Sequence, residues 1–199
     1  MIPIVILAAG ASSRMRGRDK LLELVDGVAL LRRQVEHALN TGAKVFVTLP
    51  EEPHPRYDAL ADLDVMKVPV PDAADGMNTS LNAGIAAAKP NAEAVMVLLA
   101  DMPDITTDDI KTVMQAVDTT PENLIWRATT AKGDAGHPIV FHNSLLPDLL
   151  ALSGDGGGAA VVKQNKDRTK LVALPDAHAR TDLDTPEAWS AWRAARDVT

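Results

Sequence analysis

Cysteine is absent from all 199 residues. That removes disulfides, thiolate zinc sites, iron–sulfur clusters and cysteine nucleophiles in one step. Aromatic residues are almost as scarce, with three Trp, two Phe and one Tyr. Any core must therefore be built from Leu, Val, Ile, Ala and Met. Positive charge is in the minority: 20 Lys and Arg against 27 Asp and Glu leave a net charge of −7. An acidic chain is a poor general binder of nucleic acid or of an anionic membrane surface, so neither is an expected partner. No apolar run is long enough to span a bilayer. Residues 2–9 are apolar, but the run is only eight residues long and no Lys or Arg precedes it. It reads as the start of a cytoplasmic protein rather than as a secretion signal.

What is present is ordinary for a globular chain, with 46% hydrophobic and 24% charged residues. The length fits a single domain over 1–199. Aliphatic runs at 3–9, 43–49, 65–68, 94–100, 124–130 and 170–174 read as strands, with a short one at 138–141. Several lack alternation, as strands covered on both faces should. Helical stretches are expected at 29–41, 78–88, 107–116, 144–152 and 186–195. Leu31, Val35, Ala38 and Leu39 share one side of the first, and Gly42 marks its stop. Thr185, Pro186 and Glu187 read as an N-cap, a first-turn proline and a first-turn acid. Strand–helix alternation predicts an α/β fold of three layers, α/β/α, around a mostly parallel, Rossmann-like sheet. Residues 154–160, Gly-Asp-Gly-Gly-Gly-Ala-Ala, read as a loop.

The sharpest local feature follows the first strand. Small residues Ala8, Ala9 and Gly10 lead into Arg14, Arg16, Arg18 and Lys20, with Asp19 the only acid among them. In an acidic chain this reversal of charge points to an anion. Small residues let a ligand approach the backbone, and backbone N–H groups with nearby cations suit phosphate oxygens. The spacing excludes a P-loop, because Gly10 and Gly17 are too far apart and Lys20 follows no glycine. A dinucleotide fingerprint is excluded by its missing second glycine. Ligands of such sheets bind at the carboxyl ends of the strands.

A second strand, 94–100, ends at Asp101. In a parallel sheet that carboxylate reaches the same edge as the basic loop. A carboxylate among phosphates is sensible when it holds a divalent cation against them, so Asp101 is a candidate Mg²⁺ ligand. Asp104 fits better as a turn or helix-capping acid. Asp182 and Asp184 share one face of an extended segment. One of them could complete the metal site while the other caps the last helix.

These residues carry a resemblance. The run from Leu7 to Leu22 resembles the signature of nucleotidyltransferases that join an NTP to a phosphate, L-A-A-G-x-S-x-R-M-x-x-x-x-K. The segment 98–103 looks like their metal-binding strand end, and 75–84 resembles their G-M-x-x-S-L segment, which lines the base pocket. Blocks at 136–141, 154–162 and 182–189 are similar to those of one branch, the molybdenum cofactor cytidylyltransferases. The resemblance implies nucleotide contacts from Ala8, Ala9, Gly10, Gly76, Asn78 and Ser80, phosphate binding by Arg14 and Lys20, and Mg²⁺ on Asp101. Arg14, Lys20 and Asp101 would be the catalytic residues, and His137 and Gly156 would meet the acceptor. The guanylyl branch usually has Ala-Gly-Gly where this chain has Ala8-Ala9-Gly10, which favours CTP over GTP. The block at 154 departs from its usual form by lacking an Arg. The implied reaction joins CMP to the phosphate of molybdopterin and releases pyrophosphate, a step that needs charge neutralisation and positioning but no general base. A cofactor made this way must be handed on, to a recipient molybdoenzyme or its chaperone.

Alternatives remain at this level: transfer from GTP, transfer to another phosphorylated acceptor such as a sugar 1-phosphate, or a nucleotide-binding cofactor chaperone without turnover. His137, between Gly136 and Pro138, could touch the acceptor or be a structural histidine in a tight turn. His142 reads as strand-end surface. The glycines at 154–158 read as a mobile loop over a substrate, and Trp189 and Trp192 as packing residues.

Overall fold

Apolar runs hidden on both faces belong at the centre of a fold. In the computed structural model, which describes residues 2–118 and 122–196, they form one seven-stranded sheet. After β1 (Ile4–Leu7) comes a small ribbon of β2 (Leu24–Val25) and β3 (Val28–Ala29). The main sheet continues with β4 (Val45–Leu49), β5 (Met66–Pro69), β6 (Ala94–Leu99), β7 (Ile125–Thr129), β8 (Ala135–His142) and β9 (Thr169–Ala173). Their order in space is β5-β4-β1-β6-β8-β7-β9. Every strand runs parallel to the others except β8, which pairs antiparallel with both β6 and β7. The cause is local. Only residues 130–134 join β7 to β8, Gly133 adopts φ +92, and Asp134 N–H bonds to the side-chain oxygen of Thr130. A link that short leaves no room for a crossover, so the chain folds straight back.

Among the described residues, six helices cover the sheet: α1 (Leu30–Leu39), α2 (Met77–Ala88), α3 (Thr107–Gln115), α4 (Leu146–Leu150), α5 (Ala159–Gln164) and α6 (Pro186–Arg196). Side chains of a strand alternate between faces, and β1 shows the result. Ile4 and Ile6 pack with Leu30, Leu31 and Val35 of α1, Ile110 and Val113 of α3, and Trp189 of α6. Val5 faces the opposite core with Leu81 and Ile85 of α2, Leu146 and Leu149 of α4, and Val161 of α5. The expected three-layer α/β/α architecture with a mostly parallel sheet is the one observed. No helix of the described residues is long and apolar enough to cross a membrane.

Several local expectations need correction. The helix expected at 29–41 begins at Leu30, because Val28 and Ala29 are used by the ribbon. The short strand at 138–141 is eight residues long. The helix expected at 144–152 is a 3₁₀ turn, Asn143–Leu145, followed by α4. The glycine run does not stay a loop to residue 160, because α5 starts at Ala159. Asp104 lies in the turn before α3, as expected of a turn acid, but does not cap the helix: α3 is capped by a reciprocal pair of Thr106 and Asp109, and Asp104 accepts a hydrogen bond from Trp192 Nε1 at 2.9 Å. Neither Asp182 nor Asp184 caps α6; the Thr185 hydroxyl accepts from Ala188 N–H at 3.1 Å. Trp189 and Trp192 do pack, edge to face with ring centres 5.9 Å apart.

Helix α2 lies closest to the sheet at Gly84. A Cβ there would sit 2.4 Å from Val5 Cγ1 and 3.1 Å from Thr48 Cγ2. Gly84→Val is therefore expected to lower unfolding free energy by ~1–3 kcal/mol through overpacking, outweighing its gain in helix propensity. Urea denaturation of the two proteins measures this, and equal midpoints would contradict it.

Candidate active site

The carboxyl ends of β1 and β6 lie side by side, and Ala100 N–H reaches Leu7 O at 3.2 Å. Ala8 and Ala9 are buried there, whereas Gly10 is exposed and has open space where a Cβ would stand. The loop then turns sharply, with Ser12 at φ 52, Arg16 at φ 54 and Gly17 at φ 85. Its shape is held from below by a residue that the sequence pattern did not single out. Arg56 is 1% exposed. It donates to Ala8 O at 2.6 Å, to both carboxylate oxygens of Asp19 at 2.7 and 2.8 Å, and to Ser12 Oγ at 3.1 Å. Burial alone would raise the Asp19 pKa, but Arg56 and the Leu21 N–H outweigh it and hold the carboxyl below its ordinary value. Nothing in the polar stretch around residue 56 marks it, because its partners lie some forty residues away.

All four cations of the loop meet acids. Lys20 Nζ lies 2.5 Å from Asp101 Oδ2 and 2.5 Å from Asp184 Oδ1. Arg14 reaches Asp184 Oδ2 at 2.6 Å, Arg16 pairs with Glu187 at 2.5 Å, and Arg18 with Glu23 at 3.0 Å. The expected convergence of the basic loop on Asp101 is thus present, and the 182–187 segment closes over the same edge through Leu183 N–H to Asp101 O at 3.2 Å. Burial would lower the Lys20 pKa, but Asp101 and Asp184 overcome it and hold the ammonium above its usual value. Asp184 is likewise held below the usual carboxylate range against its burial by Lys20 and Arg14. Asp182 moves the other way, raised by burial and by its neighbours Asp101 and Asp184.

Three carboxylates crowded together suit a divalent cation. Asp101 Oδ1 adds a specific sign, because it is buried and has no hydrogen-bond partner. No group of three or more His, Asp or Glu among the described residues is already arranged as a metal cage. The donor set therefore fits an ion such as Mg²⁺, which takes one or two carboxylates and fills its shell with water and phosphate oxygens.

Two of the other expected residues, His137 and Gly156, line a cavity beside this edge. Alternation places Leu7, Val97, Leu99, Arg127, His137, Ile139 and Phe141 on its sheet wall, with Met77, Leu81 and residues 156–159 opposite. His137 and Gly156 thus line one space. His137 is in β8 rather than in a tight turn. Burial, with Arg127 nearby, pushes its pKa down to about 4 despite Asp101, so the imidazole is neutral near pH 7. Gly76 and Asn78 are occupied by the protein itself. A Cβ on Gly76 would stand 2.7 Å from Gly154 O, and Asn78, 2% exposed, donates to Ser153 O at 2.7 Å. Both dock the glycine-rich roof onto α2. Ser80 is buried in the same helix. Arg127 was missed by sequence reasoning, although a lone cation inside an otherwise uncharged strand was a usable signal.

Comparison with known proteins places this geometry. A family model described as MobA-like NTP transferase domain matches residues 4–169. A protein of Synechococcus elongatus named as a probable molybdenum cofactor guanylyltransferase is 26% identical over 196 residues, covering 94% of this chain and 95% of its own. Among solved structures, Rv0371c from Mycobacterium tuberculosis H37Rv superposes with a TM-score of 0.83 at 25% identity, covering 96% of this chain and 95% of that one. Another structure of that protein, a complex with manganese, matches with a TM-score of 0.78 at 24% identity over 96% of both chains.

Two outcomes are expected from these contacts. Arg56→Leu leaves Asp19 without its buried partner and should cost ~3–5 kcal/mol of stability in thermal or urea unfolding; a loss below ~1 kcal/mol would show that the clamp is dispensable. The His137 pKa is lower folded than unfolded, so between pH 6.5 and 4 the unfolded chain binds the extra proton. Stability from this group is complete above pH 6.5 and falls with pH through that window, by up to about 3 kcal/mol. His137→Gln should flatten that part of the pH dependence in metal-free urea titrations, and an unchanged slope would refute the shift.

Proposed function

The chain belongs to the MobA-like NTP transferase family, and from that premise we propose that it transfers the CMP moiety of CTP to the phosphate of molybdopterin, releasing pyrophosphate. The observation that carries this reading is Lys20 Nζ held between Asp101 and Asp184 beside the Ala8-Ala9-Gly10 turn. An acceptor phosphate oxygen is already anionic. It attacks the α-phosphorus, a new P–O–P bond forms, and the bond to the β-phosphate oxygen breaks as pyrophosphate leaves. No proton has to be moved. Arg14 and Lys20 bind the triphosphate and take up the charge that develops on it. Their present partners, Asp101 and Asp184, would be the residues to hold a divalent cation, with Asp182 beside them. When bound, that ion supplies charge neutralisation at the phosphates. Each cation would thus trade a carboxylate for a phosphate, and each carboxylate would remain to hold the ion, so no charge would be left unpaired.

Ala9 supports CTP, because the guanylyl form of the signature has glycine there. A GTP reading has its own support in the name of the Synechococcus relative. The test is pyrophosphate release from CTP, GTP, ATP and UTP with molybdopterin and Mg²⁺. CTP should give the fastest release, and Lys20→Ala or Asp101→Asn should lower kcat by ~10²-fold or more. Fastest release with GTP would keep the transferase and change its donor. Tight nucleotide binding without release from any NTP would favour a cofactor chaperone instead.

A further inference from the structure

The cavity beside the carboxyl edge has one wall that its chemistry does not explain. On the face of the sheet toward α2, the strand positions at depth are Ile125, Val97, Ile139 and Phe141, all buried. Toward the mouth the same rows carry Arg127 and His137 instead. Arg127 uses one nitrogen, Nε, to donate to Gly136 O at 3.1 Å. The stem of Arg180 lies against the same glycine, 3.0 Å from where its Cβ would be. Arg127 lines the cavity, whereas Arg180 does not. Among the described residues neither makes an ion pair with a carboxylate, in contrast to every cation of the basic loop. Burial, and then the like charge of Arg180, depress the Arg127 pKa. An anion in the cavity beside Arg127 would relieve it.

We infer that this cavity is the acceptor subsite, that Arg127 grips the acceptor's phosphate monoester, and that the apolar wall takes an uncharged flat ring. The inference rests on the transferase reading for the identity of the acceptor but not for the anion. His137 stands between the two halves of the site, within the field of both Arg127 and Asp101. A phosphate held by Arg127 is thus presented toward the Asp101 edge, where the nucleotide's α-phosphate would lie. A neutral His137 donates or accepts a hydrogen bond there without adding charge. Gly157 and Gly158 let the roof rest on Met77 Sδ and Phe141 Cζ, 3.1 and 3.2 Å from where their Cβ atoms would be. Side chains there would fill the slot.

The test is a binding cycle, read by calorimetry without nucleotide: wild type and Arg127→Met, each with molybdopterin and with its dephosphorylated form. Wild type should prefer the phosphorylated ligand by about 10–100-fold, the worth of a charged hydrogen bond, and Arg127→Met should lose that preference. Arg127→Lys should restore part of it. CTP or GTP affinity measured with Mg²⁺ should stay unchanged in both variants, which separates a lost subsite from a damaged fold. An undiminished preference in Arg127→Met, or no preference in wild type, overturns the proposal, as does failure of wild type to bind molybdopterin with or without nucleotide. Wild type that binds with an Arg127-dependent preference but never releases pyrophosphate keeps this subsite and removes the transferase reading.

Discussion

Lys20 Nζ lies within 2.5 Å of carboxylate oxygens from both Asp101 and Asp184, so three distant parts of the chain share one charge. The contact joins the loop after β1, the end of β6 and the segment leading into α6. Arg14 and Arg16 extend it to Asp184 and Glu187, and Arg193 returns from α6 to Glu23 at 2.9 Å. Exposed pairs of this kind contribute little individually. The partly buried Lys20 is different, because removing both acids would leave a desolvated charge without compensation. The final helix is thereby set over the loop, and the edge of the sheet is closed by groups that a phosphate ligand can exchange.

Beneath that exchangeable layer lies a fixed one. Arg56 spends its donors on Ala8 O, Asp19 and Ser12 Oγ, and none of these partners is an expected ligand of phosphate. The loop can therefore trade its outer ion pairs without losing its shape. Preorganisation of this sort lets charge be stabilised with little rearrangement as the reaction proceeds.

The antiparallel return of β8 supplies the second half of the site. Had β8 run parallel like its neighbours, residues 135–138 would lie at the opposite end of the sheet. Because the five-residue link turns the chain straight back, His137 and Gly136 arrive at the same edge as Asp101. The period of two along β7 and β8 then sets Arg127 and His137 on the α2 face, above Ile139 and Phe141. Gly76 and Asn78 serve the roof of that space by holding residues 153–154, which is a structural duty beside any they have toward a nucleotide.

Hydrophobic runs and their spacing were enough to determine a three-layer α/β fold, because burial on both faces leaves a local signature in each strand. The charge reversal from Arg14 to Lys20 and the lone acid at the end of the 94–100 run marked one edge of the sheet for the same reason: both features are contiguous in the chain. The ribbon at 24–29 and helix α5 escaped because two-residue strands and a glycine-led helix of six residues carry too little periodicity to be read. Arg56 was decided only by the tertiary structure, and so was the absence of an acid beside Arg127. A buried guanidinium is stable through partners that the chain brings from far away, and a cation without an acid is visible only once every neighbouring strand is in place.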